Sequence, residues 1–316
     1  MNYIVIDLEW NQSPYGKGTE VKQIPFEIIE IGAVKLNENR EVLSSFSRLI
    51  KPQIYNEIHS ITKEIIHIDI NDLVKEELFQ NVIKEFFIWC GSDYRFATWG
   101  NMDLIELQRN LDYYGIKGFI DKPIPFYDVQ KLFALCYYQD RTPRTLEFAV
   151  DVVKLSKNEE FHRAYVDAKY TAEIFKMLDK NIVDRNYSID YFHNPKSKEE
   201  EIHLHYDTYY KFISREFGSK EEIMGNKDIN SIICHKCNQR ITKKIKWFTT
   251  NSKNYYSLGY CKKHGYIKGK IRIKRTVNSD VYAVKVVKAI TEDDASLLME
   301  RYAEAKRRKK EKNIKK

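Results

Sequence analysis

Apolar and polar positions alternate along this chain in a way that first predicts strands and then helices. Tyr3-Ile4-Val5-Ile6 is an apolar run with β-branched residues, a buried-strand pattern, and it runs into Asp7-Leu8-Glu9-Trp10. Asn11 to Gln23 is polar and contains Pro14, Gly16 and Gly18, which predicts a loop. Glu27 to Leu36 resumes a strand pattern. Val42 to Ile50 reads as its antiparallel partner across a turn at Asn37-Glu38-Asn39-Arg40, so a three-stranded meander opens the fold. A helical part follows, with Thr62 as its expected N-cap. Leu73 to Cys90 carries a helix-period apolar stripe. Phe96 to Gly100 is a short strand, Pro125 to Gln130 a strand entering a helix, Thr145 to Val150 the start of another helix, and the periodicity after His162 is helical.

Composition adds a size and a boundary. A chain of 316 residues predicts roughly two domains, and 43% hydrophobic residues with 16 Phe and 22 Tyr suffice for sizeable cores. No apolar run approaches the roughly 20 residues that span a bilayer, and no leader pattern opens the sequence, so a cytoplasmic protein without membrane contact is expected. Charge divides the chain. Residues 1–228 carry 29 Lys and Arg against 38 Asp and Glu, whereas residues 229–316 carry 24 against 7. A basic C-terminal part on an acidic body predicts a polyanionic partner, or else lysines that only solubilise.

The candidate chemistry begins at Asp7 and Glu9. Residues i and i+2 of a strand share a face, so the two carboxylates project together, an arrangement that a hard divalent ion relieves. Asp103 follows the Phe96–Gly100 strand, where open α/β sheets place ligands. It equally suits a helix N-terminus, which favours an acid. In Phe161-His162-Arg163-Ala164-Tyr165-Val166-Asp167-Ala168, His162 lies in a loop or first turn and Asp167 one helical turn later.

Asp7-x-Glu9, Asp103 after Trp99-Gly100, and His162-x4-Asp167 with Ala168 resemble, in order and spacing, the three motifs of the DnaQ-like 3′-5′ exonucleases with an active-site histidine, the DEDDh group. The Glu30-Ile31-Gly32-Ala33-Val34 and Ser60-Ile61-Thr62 segments also resemble the family, and the likeness covers about residues 1–180. Arg at position 163 departs from the tyrosine-type sister group. The Trp99-Gly100 and Arg163-to-Ala168 runs look closest to the Eri-type and sporulation-inhibitor-like exonucleases, many of which act on RNA. The resemblance implies an α/β, ribonuclease H-like mixed sheet with helices on both faces. It implies two Mg²⁺ or Mn²⁺ ions, with Asp7 bridging both, Glu9 and Asp167 completing one site, Asp103 supporting the other, and His162 as the general base. Trp10 is expected either to stack on a 3′-terminal base or to pack in the core.

A second constellation lies in the basic part. Cys234-x2-Cys237 and Cys261-x2-His264 form a tetrahedral ligand set of the kind structural Zn²⁺ requires, with a β-hairpin expected between the pairs. This resembles a zinc ribbon. His235 competes in principle as the fourth ligand but sits inside the tight turn. Cys90 and Cys136 lie in apolar surroundings and read as inert thiols. Lys268, Lys270, Arg272 and Lys274 alternate with apolar residues, which makes one strand face basic. With Trp247, Tyr255, Tyr256 and Tyr260 that face offers cations for phosphates and rings for bases. His193, His203 and His205 show no obvious partner.

The expected organisation is an exonuclease domain over 1–182, a helical connector over 183–228 with a helix from Ile202 to Phe217, a zinc-ribbon-like basic domain over 229–290, and a basic helix and frayed tail over 291–316. The expected function is metal-dependent 3′-5′ hydrolysis of single-stranded nucleic acid, RNA favoured over DNA, to nucleoside 5′-monophosphates. Two alternatives are a DNA repair or proofreading exonuclease, and a catalytically idle adaptor that binds nucleic acid or a protein partner through its C-terminal module.

Overall fold

A computed structural model of the chain describes residues 1–314 apart from 17, 67, 252, 277 and 278. Two compact units are present, Met1–His193 and Asn194–Lys316.

The first unit is built on six strands: β1 (Asn2–Asn11), β2 (Glu27–Leu36), β3 (Val42–Leu49), β4 (Tyr94–Thr98), β5 (Ile124–Asp128) and β6 (Ser188–Asp190). Its helices are α1 (Ser60–Ile66), α2 (Ile70–Leu73), α3 (Phe79–Cys90), α4 (Met102–Tyr113), α5 (Val129–Tyr138), α6 (Leu146–Val152), α7 (Ala164–Met177) and α8 (Lys180–Arg185). The sheet order is β3-β2-β1-β4-β5-β6. β1 pairs antiparallel with β2 and parallel with β4, so the sheet is mixed.

Strand alternation gives β1 two buried faces. Ile4, Ile6 and Leu8 pack with α3 and α4 residues such as Phe86 and Leu107. Tyr3 and Val5 pack with Phe133 of α5 and Phe175 of α7. A continuous apolar run is what a strand covered on both sides requires. Beyond Val5 the parallel pairing with β4 stops, and β1 runs on through Asp7 and Glu9 paired only with β2.

Three local expectations change. α1 starts at Ser60, so Thr62 is a buried helical residue and no N-cap. The stripe from Leu73 to Cys90 divides into α2 and α3, because Leu78 takes an extended conformation and bridges to Lys51 before the helix begins. Ser188–Asp190 pairs with β5, so the exonuclease sheet extends past residue 182.

The second unit is an antiparallel sheet ordered β7-β8-β12-β11-β10-β9. Its strands are β7 (Ile202–His205), β8 (Tyr210–Ile213), β9 (Lys243–Thr249), β10 (Asn254–Cys261), β11 (Gly265–Arg275) and β12 (Val281–Ala289), with helices α9 (Lys220–Gly225), α10 (Lys227–Asn230) and α11 (Glu292–Ile314). The helix expected from Ile202 to Phe217 is instead the β7–β8 hairpin. Its aromatic residues support either element, and pairing of β8 along β12 decides for the sheet. α11 continues through Ile314, well past the expected Arg301; Lys315 and Lys316 of the expected frayed tail lie outside the described residues. No helix among the described residues is long and apolar enough to cross a membrane.

Candidate active site and Cys3His cluster

Asp7, Glu9, Asp103, His162 and Asp167 line one cleft of about 490 Å³ in the first unit. β1 delivers the first two on its α7-facing side, in phase with Tyr3 and Val5. A bulge in the β1–β2 pairing falls between Glu9 and Trp10, which leaves Glu9 opposite Glu30 and Trp10 opposite Ile28. Bulges of this kind re-aim side chains at sheet ends.

α4 supplies Asp103 from its first turn. Leu8 lies beyond the reach of β4, and its N–H donates to Asp103 Oδ1 at 3.1 Å. Both sequence-based roles of Asp103 are therefore met in position: it is an N-terminal helix acid and it faces the cleft.

α7 supplies Asp167, and one glycine sets its approach. A Cβ built at Gly32 of β2 would lie 2.0 Å from Tyr165 N and 2.1 Å from Ala164 C, so the helix rests directly on strand backbone. One ligand oxygen each from Asp7, Glu9 and Asp167 comes within 4.8 Å of the others. His162 takes φ +67°, a left-handed conformation unusual for a side-chain-bearing residue. Its N–H donates to Asp167 Oδ2 at 2.8 Å, which ties the exposed histidine to the acid cluster.

The carboxylates repel one another in low-dielectric surroundings. Burial, with Asp103, Glu9 and Asp167 adding, holds the Asp7 carboxyl well above the usual carboxylate range. Burial and the Asp167 charge push Glu9 up to about 8. Burial raises Asp103 to about 7 against the hydrogen bonds it accepts, and raises Asp167 to about 6 against the His162 N–H. Asp167 Oδ1 is buried with no hydrogen-bond partner. An orphaned acceptor among crowded acids fits hard divalent cations, which take carboxylate oxygens.

Two residues of the site were not singled out by the sequence. Glu30, 1% exposed, receives the Arg163 guanidinium at 3.1 and 3.2 Å, a two-point ion pair. Arg163 thereby anchors the segment between His162 and α7 onto β2. An acid in the middle of the apolar Ile28-to-Val34 run was the available signal, since buried charges are rarely left unpaired. Trp10 packs on Phe26 with ring centroids 5.7 Å apart, and it also lines the cleft.

In the second unit, the Sγ atoms of Cys234, Cys237 and Cys261 and a ring nitrogen of His264 all lie within 4.8 Å of one another. Cys237 Sγ to Cys261 Sγ is 3.7 Å, and Cys234 Sγ to His264 Nδ1 is 3.4 Å. Zn–S bonds of about 2.3 Å give tetrahedral edges of roughly 3.8 Å, so the group suits zinc and is too open for a disulfide. Against the upward push of burial, the Lys263 and His264 N–H groups bring the Cys261 thiol down to about 6, toward the thiolate that metals require. The expected hairpin is β9–β10. His235 stands outside this group.

β11 exposes Lys270 and Arg272 and half-buries Lys268 and Lys274, with Ile267, Ile271 and Ile273 on the opposite face. The Lys268 and Lys270 ammonium groups lie 5.6 and 5.9 Å from the Tyr256 ring centre. Part of this face is covered, since Ala295 and Leu298 of α11 pack on Ile245 and Leu258. Trp247 and Tyr255 belong to the opposite side. A Cβ on Gly269 would meet Trp247 at 2.7 Å, and both rings pack with Ile267 and Ile271. Strand parity separates them from Tyr256.

Known proteins resemble the first unit. Residues 4–175 match the RNase_T model, described as Exonuclease. The probable 3′-5′ exonuclease KapD of Bacillus subtilis (strain 168) is 27% identical over 182 residues, covering 56% of this chain and 84% of the relative. DNA polymerase III PolC-type of Caldanaerobacter subterraneus subsp. tengcongensis is 29% identical over 179 residues, only 12% of that relative's length. The solved nuclease domain of 3′hExo, a DEDDh family member bound to rAMP, shares the fold at a TM-score of 0.51 and 18% identity, covering 59% of this chain and 96% of that one. With its family match spanning more than half of the sequence, the chain belongs to the RNase_T exonucleases, as a 3′-5′ exonuclease of the DEDDh type.

Proposed function

We propose that the chain removes nucleoside 5′-monophosphates from the 3′ end of single-stranded nucleic acid, with RNA preferred, using Asp7, Glu9, Asp103, Asp167 and His162. The observation that carries this is the convergence of Asp7, Glu9 and Asp167 within 4.8 Å, with an orphaned Asp167 oxygen. Asp7, Glu9 and Asp167 would hold Mg²⁺ or Mn²⁺, with Asp103 supporting a second ion. When bound, the ions supply the positive charge that offsets negative charge growing on the phosphodiester.

The remaining steps belong to the protein. His162, on the cleft rim, accepts the proton of the attacking water, a task for which imidazole is suited near neutral pH. The Asp167 carboxylate holds the His162 backbone in place through the 2.8 Å hydrogen bond. The Arg163–Glu30 pair pins the same segment from its other side. Trp10, half-buried in the cleft wall, offers a ring edge or face to the terminal base.

The preference for RNA rests on the likeness of the Trp99-Gly100 and Arg163-to-Ala168 segments to the Eri-type and sporulation-inhibitor-like branch. A DNA-directed exonuclease is the second reading, favoured by the PolC-type relatives. The basic β11 face with Lys268, Lys270, Arg272 and Lys274 is assigned to the phosphates of the same strand. A Cys3His zinc group with free thiols elsewhere in the chain suits a reducing, cytoplasmic setting.

A time course on matched 5′-labelled single-stranded RNA and DNA, with Mg²⁺ or Mn²⁺, tests the proposal. The expected result is a ladder that shortens from the 3′ end, faster on RNA, and that disappears in Asp7→Asn and His162→Ala. A ladder mainly on DNA transfers the proposal to the repair reading. Tight, salt-sensitive binding with no metal-dependent shortening leaves the idle adaptor.

A further inference from the structure

Outside the Cys3His cluster, the second unit contains a cavity of about 370 Å³ formed by the β7–β8 hairpin, β12 and the Cys234–Cys237 turn. Most of its charges are already satisfied. Lys285, 3% exposed, donates its ammonium protons to the carbonyls of Asp228, Ile229 and Ser231. Glu201 is paired with Arg215 at 2.9 Å, and Asp228 with Lys198 at 3.6 Å.

One side chain has buried polar atoms that remain unsatisfied, and an exposed cation stands beside it. His235 buries both ring nitrogens with no hydrogen-bond partner. A neutral imidazole offers one donor and one acceptor, and leaving both unmet in a folded interior is unfavourable. Arg240, an exposed residue, lines the same cavity, and its side chain makes no hydrogen bond or ion pair among the described residues. Beside them the His203 ring lies 4.8 Å from Phe212 and the His205 ring 4.8 Å from Tyr210, an aromatic wall. Arg240 also lines a neighbouring groove of about 730 Å³ in this unit, together with Lys227, Lys243, Lys246 and Trp247. The cavity and the basic groove therefore share Ser231 and Arg240.

We propose that this cavity is a nucleotide-binding site: one base of a single strand lies against the His203 and His205 rings, its hydrogen-bonding edge meets His235, and its phosphate meets Arg240. A base edge can meet one of the two His235 ring nitrogens, and a base offers a flat face to the aromatic wall. The adjoining groove supplies cations for the next phosphates. This site is distinct from the β11 lysine face, since Trp247 packs on the opposite side of β11. It rests on the reading that the chain acts on nucleic acid, and is testable without turnover.

The test uses the full-length, zinc-loaded chain with no Mg²⁺ or Mn²⁺ added, and reads fluorescence anisotropy of a labelled ten-nucleotide single-stranded RNA and its DNA counterpart. His235→Phe keeps the ring's bulk and removes its nitrogens; it is expected to weaken binding about tenfold. Arg240→Ala is expected to weaken it severalfold and to lower the salt dependence by about one phosphate contact. Zinc content reports whether the Cys234 turn is intact. If His235→Phe releases zinc, Arg240→Ala decides alone, because its side chain lies outside the ligand group. Competition by 5′-AMP that His235→Phe abolishes supports the base contact; competition that survives places the nucleotide elsewhere and overturns it. Unchanged affinity in both variants with zinc retained, or loss seen only in Lys270→Ala and Arg272→Ala, also overturns it. Turnover by Asp7→Asn against wild type is measured separately, so failure here is distinct from failure of the exonuclease reading.

Discussion

Asp7, Glu9, Asp103 and Asp167 hold their protons more tightly in the folded chain than an ordinary carboxyl does near pH 4. Between about pH 4 and 8 the folded state therefore binds more protons than the unfolded one, and stability falls as pH rises through that window. Below about pH 4 both states are protonated and the penalty vanishes. Thermal melts without added Mg²⁺ or Mn²⁺ are expected to show the first unit's melting temperature falling from pH 5 to 8. Mn²⁺ is expected to restore more at pH 8 than at pH 5; a flat profile would refute the crowded-acid account. Asp7→Asn removes one of the repelling charges. It is expected to abolish shortening while raising the metal-free melting temperature at pH 8 by about 2–4 °C, the response of a domain of this size to about 1 kcal/mol. Arg163→Ala leaves Glu30 buried without its cation, and a double-mutant cycle with Glu30→Gln is expected to show coupling above about 1 kcal/mol. Additive effects of the two substitutions would mean that the ion pair is inert.

At the scale of elements, the site depends on how α7 lies on β2. Gly32 leaves no room for a methyl group against the Ala164–Tyr165 backbone. Backbone cannot rotate away as a long side chain can, so Gly32→Ala must lift the helix that carries Asp167. We expect Gly32→Ala to cost about 1–3 kcal/mol in stability and at least a hundredfold in nuclease rate, because an ångström of misplacement at a reacting centre has that order of effect. Circular dichroism melts and the RNA time course measure the two. A stable variant with full activity would show that α7 is not held by this contact. The same logic explains the paired strands. Glu27 is buried and accepts the N–H groups of Gln53, Ile54 and Tyr55, so the acid at the start of β2 fastens the chain after β3 and takes no part in the cleft.

For the whole molecule, each unit has its own core: one sandwiched around the mixed sheet, the other around β11 and the Cys3His group. Zinc stabilises only the state that presents its ligands together. Calorimetry is expected to show two transitions, of which removal of zinc by a chelator, or Cys261→Ser, shifts only one. Retention of both transitions after zinc loss would mean that the cluster contributes nothing to folding. Metal-dependent hydrolysis of short substrates is expected to persist when the zinc-dependent transition is lost, because Asp7 to Asp167 all lie in the other unit.

Strand parity paired Asp7 with Glu9, resemblance to the DEDDh motifs added Asp103, His162 and Asp167 as candidates, and spacing within local elements grouped the three cysteines with His264 and predicted β1 to β3. Register, parity across a bulge and choice of partner strand depend on contacts distant in sequence. Thus the aromatic stretch from Ile202 to Phe217 became a hairpin only through pairing with β12, and Trp247 and Tyr255 turned away from the lysine face through their strand positions. Glu30 acquired a role only when Arg163, 133 positions later, reached it. The buried His235 nitrogens and Arg240 meet in one cavity for the same reason: spacing specifies which face of its own element a residue takes, and packing alone decides what that face meets.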